Sequence, residues 1–490
     1  MFKSVELGLK VSKEQYARQL PKLRAALLTS QAALKGNPIP VIVIVAGVEG
    51  AGKAEVVNTL NEWLDPRGLE THAFWPLSEE ERERPRFWRF WRTLPARGRI
   101  GIFFGSWYTQ PILQRVLEDG KLGQFDRELQ HIVAFEKMLV DDGALIIKLW
   151  FHLSKDAQHA EFKRLEKNPL TRWRVSPADW KQHKHYNKFV AASERAIRFT
   201  DTGEAPWFLI DSSNSRHRNL QAGQLLLDAL RQRMEKSAPP VAHRTITHLA
   251  KKTLRSLTLL DSIDLRRRLA DTEYKSGLEQ FQAWLNRLTW AAHEKKRSTI
   301  IVFEGWDAAG KGGCIRRLVT AIDAKLHQVI SVAAPTDEER ARHYLWRFWR
   351  HIPPAGMVTI YDRSWYGRVL VERVEGFARP EEWKRAYLEI NEFEAELAEH
   401  GIVVVKFWLH ISPAEQLRRF QERQRIAYKR HKISAEDWRN REKWSAYEVA
   451  VNDMLIRTNT DEAPWTLVPA NDKRFARIKV IKTVCQRLER

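Results

Sequence analysis

The sequence predicts an α/β protein built as two tandem three-layer α/β/α domains, each a parallel sheet covered by helices on both faces. Three observations carry this. β-branched runs of strand length alternate with helical stretches. A glycine-rich loop twice joins such a run to a helix. Almost every one of these features recurs at a single spacing along the chain.

That spacing is read from Trp-Arg-Phe-Trp-Arg at Trp88–Arg92 and again at Trp346–Arg350, 346 − 88 = 258 apart. The same offset relates Gly47 and Lys53 to Gly305 and Lys311, Ser106-Trp107-Tyr108 to Ser364-Trp365-Tyr366, and Ala205-Pro206-Trp207 to Ala463-Pro464-Trp465. An offset that holds from end to end means a whole-domain duplication with almost no insertions. The expected domains are residues 1–232 and 260–490, with 233–259, containing Ser237-Ala-Pro-Pro240, as the linker.

Each copy opens with a helix; Leu278, Phe281 and Leu285 lie on one face. A buried strand follows (Val41–Val45; Thr299–Phe303), then the glycine loop and a helix. A second strand, Val358–Tyr361, leads into Ser-Trp-Tyr. Beyond it come an amphipathic helix around Tyr387–Ala398, the strand Ile402–Trp408, and a basic helical segment from Ala414 to about Lys432. A further helix and a last strand, Trp465–Val468, close the copy.

The balance of 82 Lys+Arg against 61 Asp+Glu leaves a net charge of +21, which calls for an anionic partner: nucleic acid, acidic membrane or a polyphosphate chain. Two cysteines, Cys314 and Cys485, are too few for a disulfide framework and suit a reducing compartment. The N-terminus lacks the basic-then-apolar order of a leader, and no apolar run approaches membrane-spanning length. A cytoplasmic protein without a membrane partner is expected.

Gly305-Trp-Asp-Ala-Ala-Gly-Lys311 satisfies G-x4-G-K between a strand and a helix. Amides of Ala308, Ala309, Gly310 and Gly312, with the helix N-terminus, would cradle phosphate, and Lys311 would reach its outer oxygens. The residue after the lysine is usually Ser or Thr, whose hydroxyl meets magnesium; here it is Gly312. Asp307 inside the loop is the replacement oxygen ligand. Asp362, at the end of Val358–Tyr361, is the second, in the place where a hydrophobic strand delivers a carboxylate to the phosphate site. Arg363 beside it can fork onto phosphate. Mg2+ is therefore the expected cofactor.

The first copy keeps Lys53 but has Glu49 for Asp307, Phe104 for Asp362, Gly105 for Arg363 and Leu165 for Arg423. Phe104 cannot bind magnesium and Leu165 cannot offset phosphate charge, so the first copy is expected to be catalytically silent. The segment Gln416–Lys432 carries Arg418, Arg419, Arg423, Arg425, Lys429, Arg430 and Lys432 against the single acid Glu422. It reads either as a solvated face or as a lid that closes on the transferring phosphoryl group, with Arg423 foremost. The Trp-Arg-Phe-Trp-Arg aromatics could stack on bases or pack a helix against the sheet. Their recurrence in the copy without carboxylates favours packing.

Glu304-Gly-Trp-Asp-Ala-Ala-Gly-Lys-Gly-Gly313, Ala334-Pro-Thr-Asp-Glu-Glu339, Tyr344–Arg350, Asp362-Arg-Ser-Trp-Tyr366 and Ala463-Pro-Trp465 resemble the second family of polyphosphate kinases across nearly all of the second copy. The tandem arrangement looks like the family's fused members. The resemblance implies a thymidylate-kinase-like P-loop fold with a helical lid, and phosphoryl transfer from inorganic polyphosphate to a nucleotide, AMP for the fused type. It places the family's functional positions on Asp307, Lys311, Asp362, Arg363 and Arg423, with further lid cations at Lys429, Arg430 and Lys432. Many relatives carry Asp-Pro ahead of these; here Ile426-Ala427 stands in its place.

Two rivals share parts of this pattern. An ATP-dependent nucleoside monophosphate kinase would not need so basic a surface. A non-enzymatic nucleic-acid-binding protein would account for the charge and the aromatics but not for Asp307 and Asp362, which repel a phosphate backbone unless metal intervenes, so a specific nucleic-acid partner is not expected. Acceptor identity among AMP, ADP, GMP and GDP stays open from residues alone, as does an oligomer.

Overall fold

The computed structural model describes residues 1–74, 76–118, 120–235, 258–427, 430 and 433–489. Contacts divide it into two compact units, one holding most of the first repeat with 336–343, the other most of the second repeat with 78–88. Residues 236–257 of the segment read as linker, with Lys429 and Lys432, lie outside the described residues.

The first unit contains β1 (Val41–Gly47), β2 (Leu69–Ala73), β3 (Ile100–Phe104), β4 (Leu145–His152) and β5 (Trp207–Asp211). The second contains β6 (Thr299–Gly305), β7 (His327–Ser331), β8 (Val358–Asp362), β9 (Val403–His410) and β10 (Trp465–Pro469). Orders are β2-β3-β1-β4-β5 and β7-β8-β6-β9-β10, every pairing parallel. Each strand of the second sheet lies 258 residues after its twin, at both ends.

The central strands form because their side chains are apolar on both faces: Val41 to Val45 and Ile300 to Phe303 are all at most 1% exposed. β7 reads His-Gln-Val-Ile-Ser and is partly exposed along its length, so an edge strand sits where the sequence reading has none. The chain runs from β6 to one side of the sheet and later crosses to β9 on the other. The carboxyl end of β6 is thus the switch point where such sheets bind ligands.

The Ser-Trp-Tyr motif is structural. In the second unit Lys406 Nζ donates to Glu394 Oε2 (2.7 Å), Tyr366 Oη (2.8 Å) and the Thr458 carbonyl (2.7 Å), while Trp365 Nε1 and Tyr366 Oη donate to Glu394 Oε1. Lys148, Glu136, Tyr108, Trp107 and Thr200 repeat the arrangement in the first unit. A buried ion pair persists only when its remaining donors and acceptors are satisfied, and here they are. Trp346, Phe348 and Trp349 are buried, with Phe348 edge-on to Tyr361 and Trp365 and Trp349 edge-on to Phe393. The pentapeptide packs a helix on the sheet.

Candidate active site

β6 ends at Gly305, whose φ of 150° brings it so near β9 that a Cβ would lie 2.5 Å from the Leu409 carbonyl oxygen. The loop then turns through Trp306–Gly310 into the helix Lys311–Val319, with Gly310 as its N-cap at φ 110°. Lys311 Nζ donates to the Gly305 carbonyl at 2.8 Å, folding back along the loop. A Cβ on Gly312 would meet nothing within 4 Å. Space does not forbid a hydroxyl there, and the carboxylates stand elsewhere.

Asp307 Oδ1 accepts from Arg363 Nη2 (3.1 Å) and Oδ2 from Asn440 Nδ2 (2.9 Å). Asp362 ends β8, in register with Phe303. Burial works against the Arg363 charge, yet the combined field of Asp307, Glu304, Glu436 and Asp362 raises its pKa. Asp307, Lys311, Asp362 and Arg363 therefore converge on one end of the sheet. Arg423 stands one turn beyond Arg419 on the helix Pro413–Arg425. Arg430 is exposed and donates Nε to the Gln424 carbonyl at the end of that helix. The helix stops at Arg425, short of the expected Lys432, because Ile426 takes an extended conformation (φ −91°, ψ 113°).

Four residues that the sequence does not assign to the phosphate loop meet it, Arg419 among them expected only as one cation of the basic run. Glu304 is buried and accepts from Ser364 Oγ at 2.8 Å; burial raises its pKa, with Lys311 opposing. Asn440 reaches Asp307 from the helix Ala435–Glu442. Gln416 Nε2 donates to the Asp307 carbonyl, and Arg419 Nη1 to those of Ala308 (2.9 Å) and Ala309 (3.0 Å). Three of them were within reach of the 258-residue comparison, since their twins are Ala46, Gln182 and Glu161; Gln416 keeps Gln158 and gives no such signal.

In the first unit the same loop is closed on itself. Lys53 Nζ is held by Glu49 Oε1 (3.0 Å) as well as by the carbonyls of Gly47 and Val48; Lys311 meets the equivalent carbonyls of Gly305 and Trp306, so Glu49 is what the first copy adds. The buried Arg218 guanidinium lies where a Cβ on Gly52 would be, 1.8 Å from Nη1. Backbone strain separates the copies too. Ala308 (φ 61°) and Arg363 (φ 66°) are two of the three non-glycine residues with positive φ among the described residues. Their twins are Gly50 and Gly105. Strained non-glycine positions gather at functional sites, and only the second copy has them here.

The model of polyphosphate kinase 2 (PPK2) matches residues 10–238 and again 268–490. The chain belongs to the polyphosphate kinase 2 family. Its PPK2 repeats align end to end with a polyphosphate:AMP phosphotransferase of Pseudomonas aeruginosa, 48% identical over all of this chain and 99% of that one. A second, from Pseudomonas syringae pv. tomato, is 49% identical over 100% and 98%. A crystal structure from Pseudomonas aeruginosa assigned to polyphosphate kinase 2 superposes with a TM-score of 0.89 at 48% identity, covering 100% of this chain and 98% of that one.

Proposed function

We propose that the second PPK2 repeat transfers a phosphoryl group from inorganic polyphosphate to AMP, giving ADP, and that the first repeat is catalytically silent. The carrying observation is that Asp307, Asp362, Arg363 and Arg423 stand in the second copy alone, within a chain similar along its whole length to polyphosphate:AMP phosphotransferases. The loop amides and Lys311 hold phosphate oxygens. Arg363 and Arg423 offset the charge that spreads over the transferring group. The acceptor is a phosphate oxygen, anionic at neutral pH, so no strong general base is required.

Magnesium belongs to this proposal, and the donors fit it. Asp307 and Asp362 are hard oxygen ligands, and the hydrogen bonds to Asp307 leave each carboxylate oxygen a lone pair. Among the described residues no three His, Cys, Asp or Glu gather as a metal cage, so the ion would rest on these two and on substrate phosphate. Bound there, it would neutralise phosphate charge. The +21 net charge suits a polyanionic donor, in a cytoplasmic setting. No helix among the described residues is long and apolar enough to cross a membrane.

Incubating the full chain with polyphosphate, magnesium and no ATP, with AMP, ADP, GMP or GDP in parallel, tests the reading by product analysis. ADP from AMP is expected; no product with polyphosphate, but ADP once ATP replaces it as donor in a parallel reaction, would sink it.

A further inference from the structure

Arg419 sits in the run of cations read as a phosphate-gripping lid, yet its guanidinium faces the protein. It is 3% exposed and makes five hydrogen bonds: Nε to Glu415, Nη1 to the carbonyls of Ala308 and Ala309, and Nη2 to those of Ala470 and Asn471. Gln416, on the same helix, holds the carbonyl of Asp307 and is itself held by Arg441 Nη1 at 3.1 Å. Three consecutive loop carbonyls therefore end on one helix. A peptide whose carbonyl is fixed on one side presents the N–H on the other; this leaves the amides of Ala308 and Gly310 to face a phosphate, while that of Ala309, expected to share that role, instead donates to the Trp306 carbonyl at 3.0 Å and closes the turn.

The first copy isolates what Arg419 adds. Gln158 keeps the bond to the Glu49 carbonyl, but Glu161 stands at the Arg419 position. An arginine from elsewhere, Arg218 of the helix Ser215–Glu235, caps the Ala51 carbonyl instead. There the left-handed residue is Gly50, which needs no restraint; in the second copy it is Ala308, which does. In the second copy the capping arginine stands on the helix that carries Arg423 one turn later.

We propose that Arg419 is a positioning residue: it holds Ala308 in the left-handed conformation that aims the loop amides, and it registers Arg423 to that loop. It touches no substrate. The first turns of this helix are then a fixed strut, and any lid movement starts beyond Arg419. The inference rests on the phosphotransferase reading above, and its test is separable from it.

R419Q and R419K are made in the full chain, each alone and with A308G, and R419Q also with R423Q. ADP formation is measured at varied polyphosphate, alongside thermal melting and calorimetric binding of polyphosphate without AMP. R419Q is expected to lower kcat about tenfold or more, with KM for AMP little changed. A308G in the R419Q background should restore roughly fivefold, because glycine removes the left-handed penalty. R423Q should lose less in that background than alone. If R419Q does not fold, the same comparisons in R419K decide. Native kcat in a folded Arg419 variant, or no rescue by A308G, overturns the inference. Polyphosphate binding weakened by R419Q and recovered by A308G supports it even if AMP proves not to be the acceptor; unchanged binding in that case overturns it.

Discussion

His410 offers the sharpest stability test. It ends β9, 7% exposed, and its Nδ1 accepts from Trp306 Nε1 at 3.0 Å and from Trp408 Nε1 at 3.4 Å. Two donors on one ring nitrogen require a neutral imidazole with its proton on Nε2. Burial accordingly lowers its pKa from 6.5 to about 4, with Asp261 opposing weakly. As pH falls below 6.5 the unfolded chain takes up a proton that the folded protein refuses until about pH 4. Stability is therefore lost as pH falls through that window. At pH 4.5 the loss from this one group is about 2.5 kcal/mol. The perturbation is His410→Gln, whose amide oxygen can still accept from Trp306. Urea midpoints of native chain and variant are compared from pH 7 to pH 4.5. The native chain should lose about 2.5 kcal/mol more than the variant across that range. Parallel pH profiles would refute the reasoning, because a His410 that protonates in place cannot be the acceptor for both indoles.

Lys311→Ala or Asp362→Asn should each cut turnover by about a hundredfold or more, whereas Lys53→Ala, whose amine is paired with Glu49 in a copy that lacks the carboxylates, should leave it within about twofold. Comparable loss from Lys53→Ala would end the silent-copy reading. Lys406→Met strands the buried Glu394 carboxylate and should destabilise the second unit by about 3–5 kcal/mol, read by chemical denaturation. Raising salt from about 50 to 200 mM should raise the KM for polyphosphate severalfold while moving that for AMP far less, as expected if cations track the polymer.

The duplication, the parallel α/β architecture, the phosphate loop and the carboxylate at the end of β8 were all legible in the residues. Each is written locally: a β-branched run, two glycines and a lysine at set spacing, an Asp after an apolar strand. β2 and β7 were not, since a short, polar, half-exposed strand is defined by the neighbour it pairs with rather than by its own composition. The buried Lys406–Glu394 network joins positions far apart in the chain, so Ser-Trp-Tyr could be found as a repeat without its purpose being visible.

The arginine run draws the boundary most clearly. By itself the sequence determined that a basic helix follows β9 and that Asp307, Asp362 and Arg363 mark one copy, because identity and spacing along the chain carry that information. Only the tertiary structure decided which cation does what. Helical rotation turns Arg419 inward onto the Ala308 and Ala309 carbonyls and leaves Arg418 exposed, paired with Glu415 and Glu422 along its own helix. Two neighbouring residues of one type thus acquire different roles from the direction in which the packed helix points them.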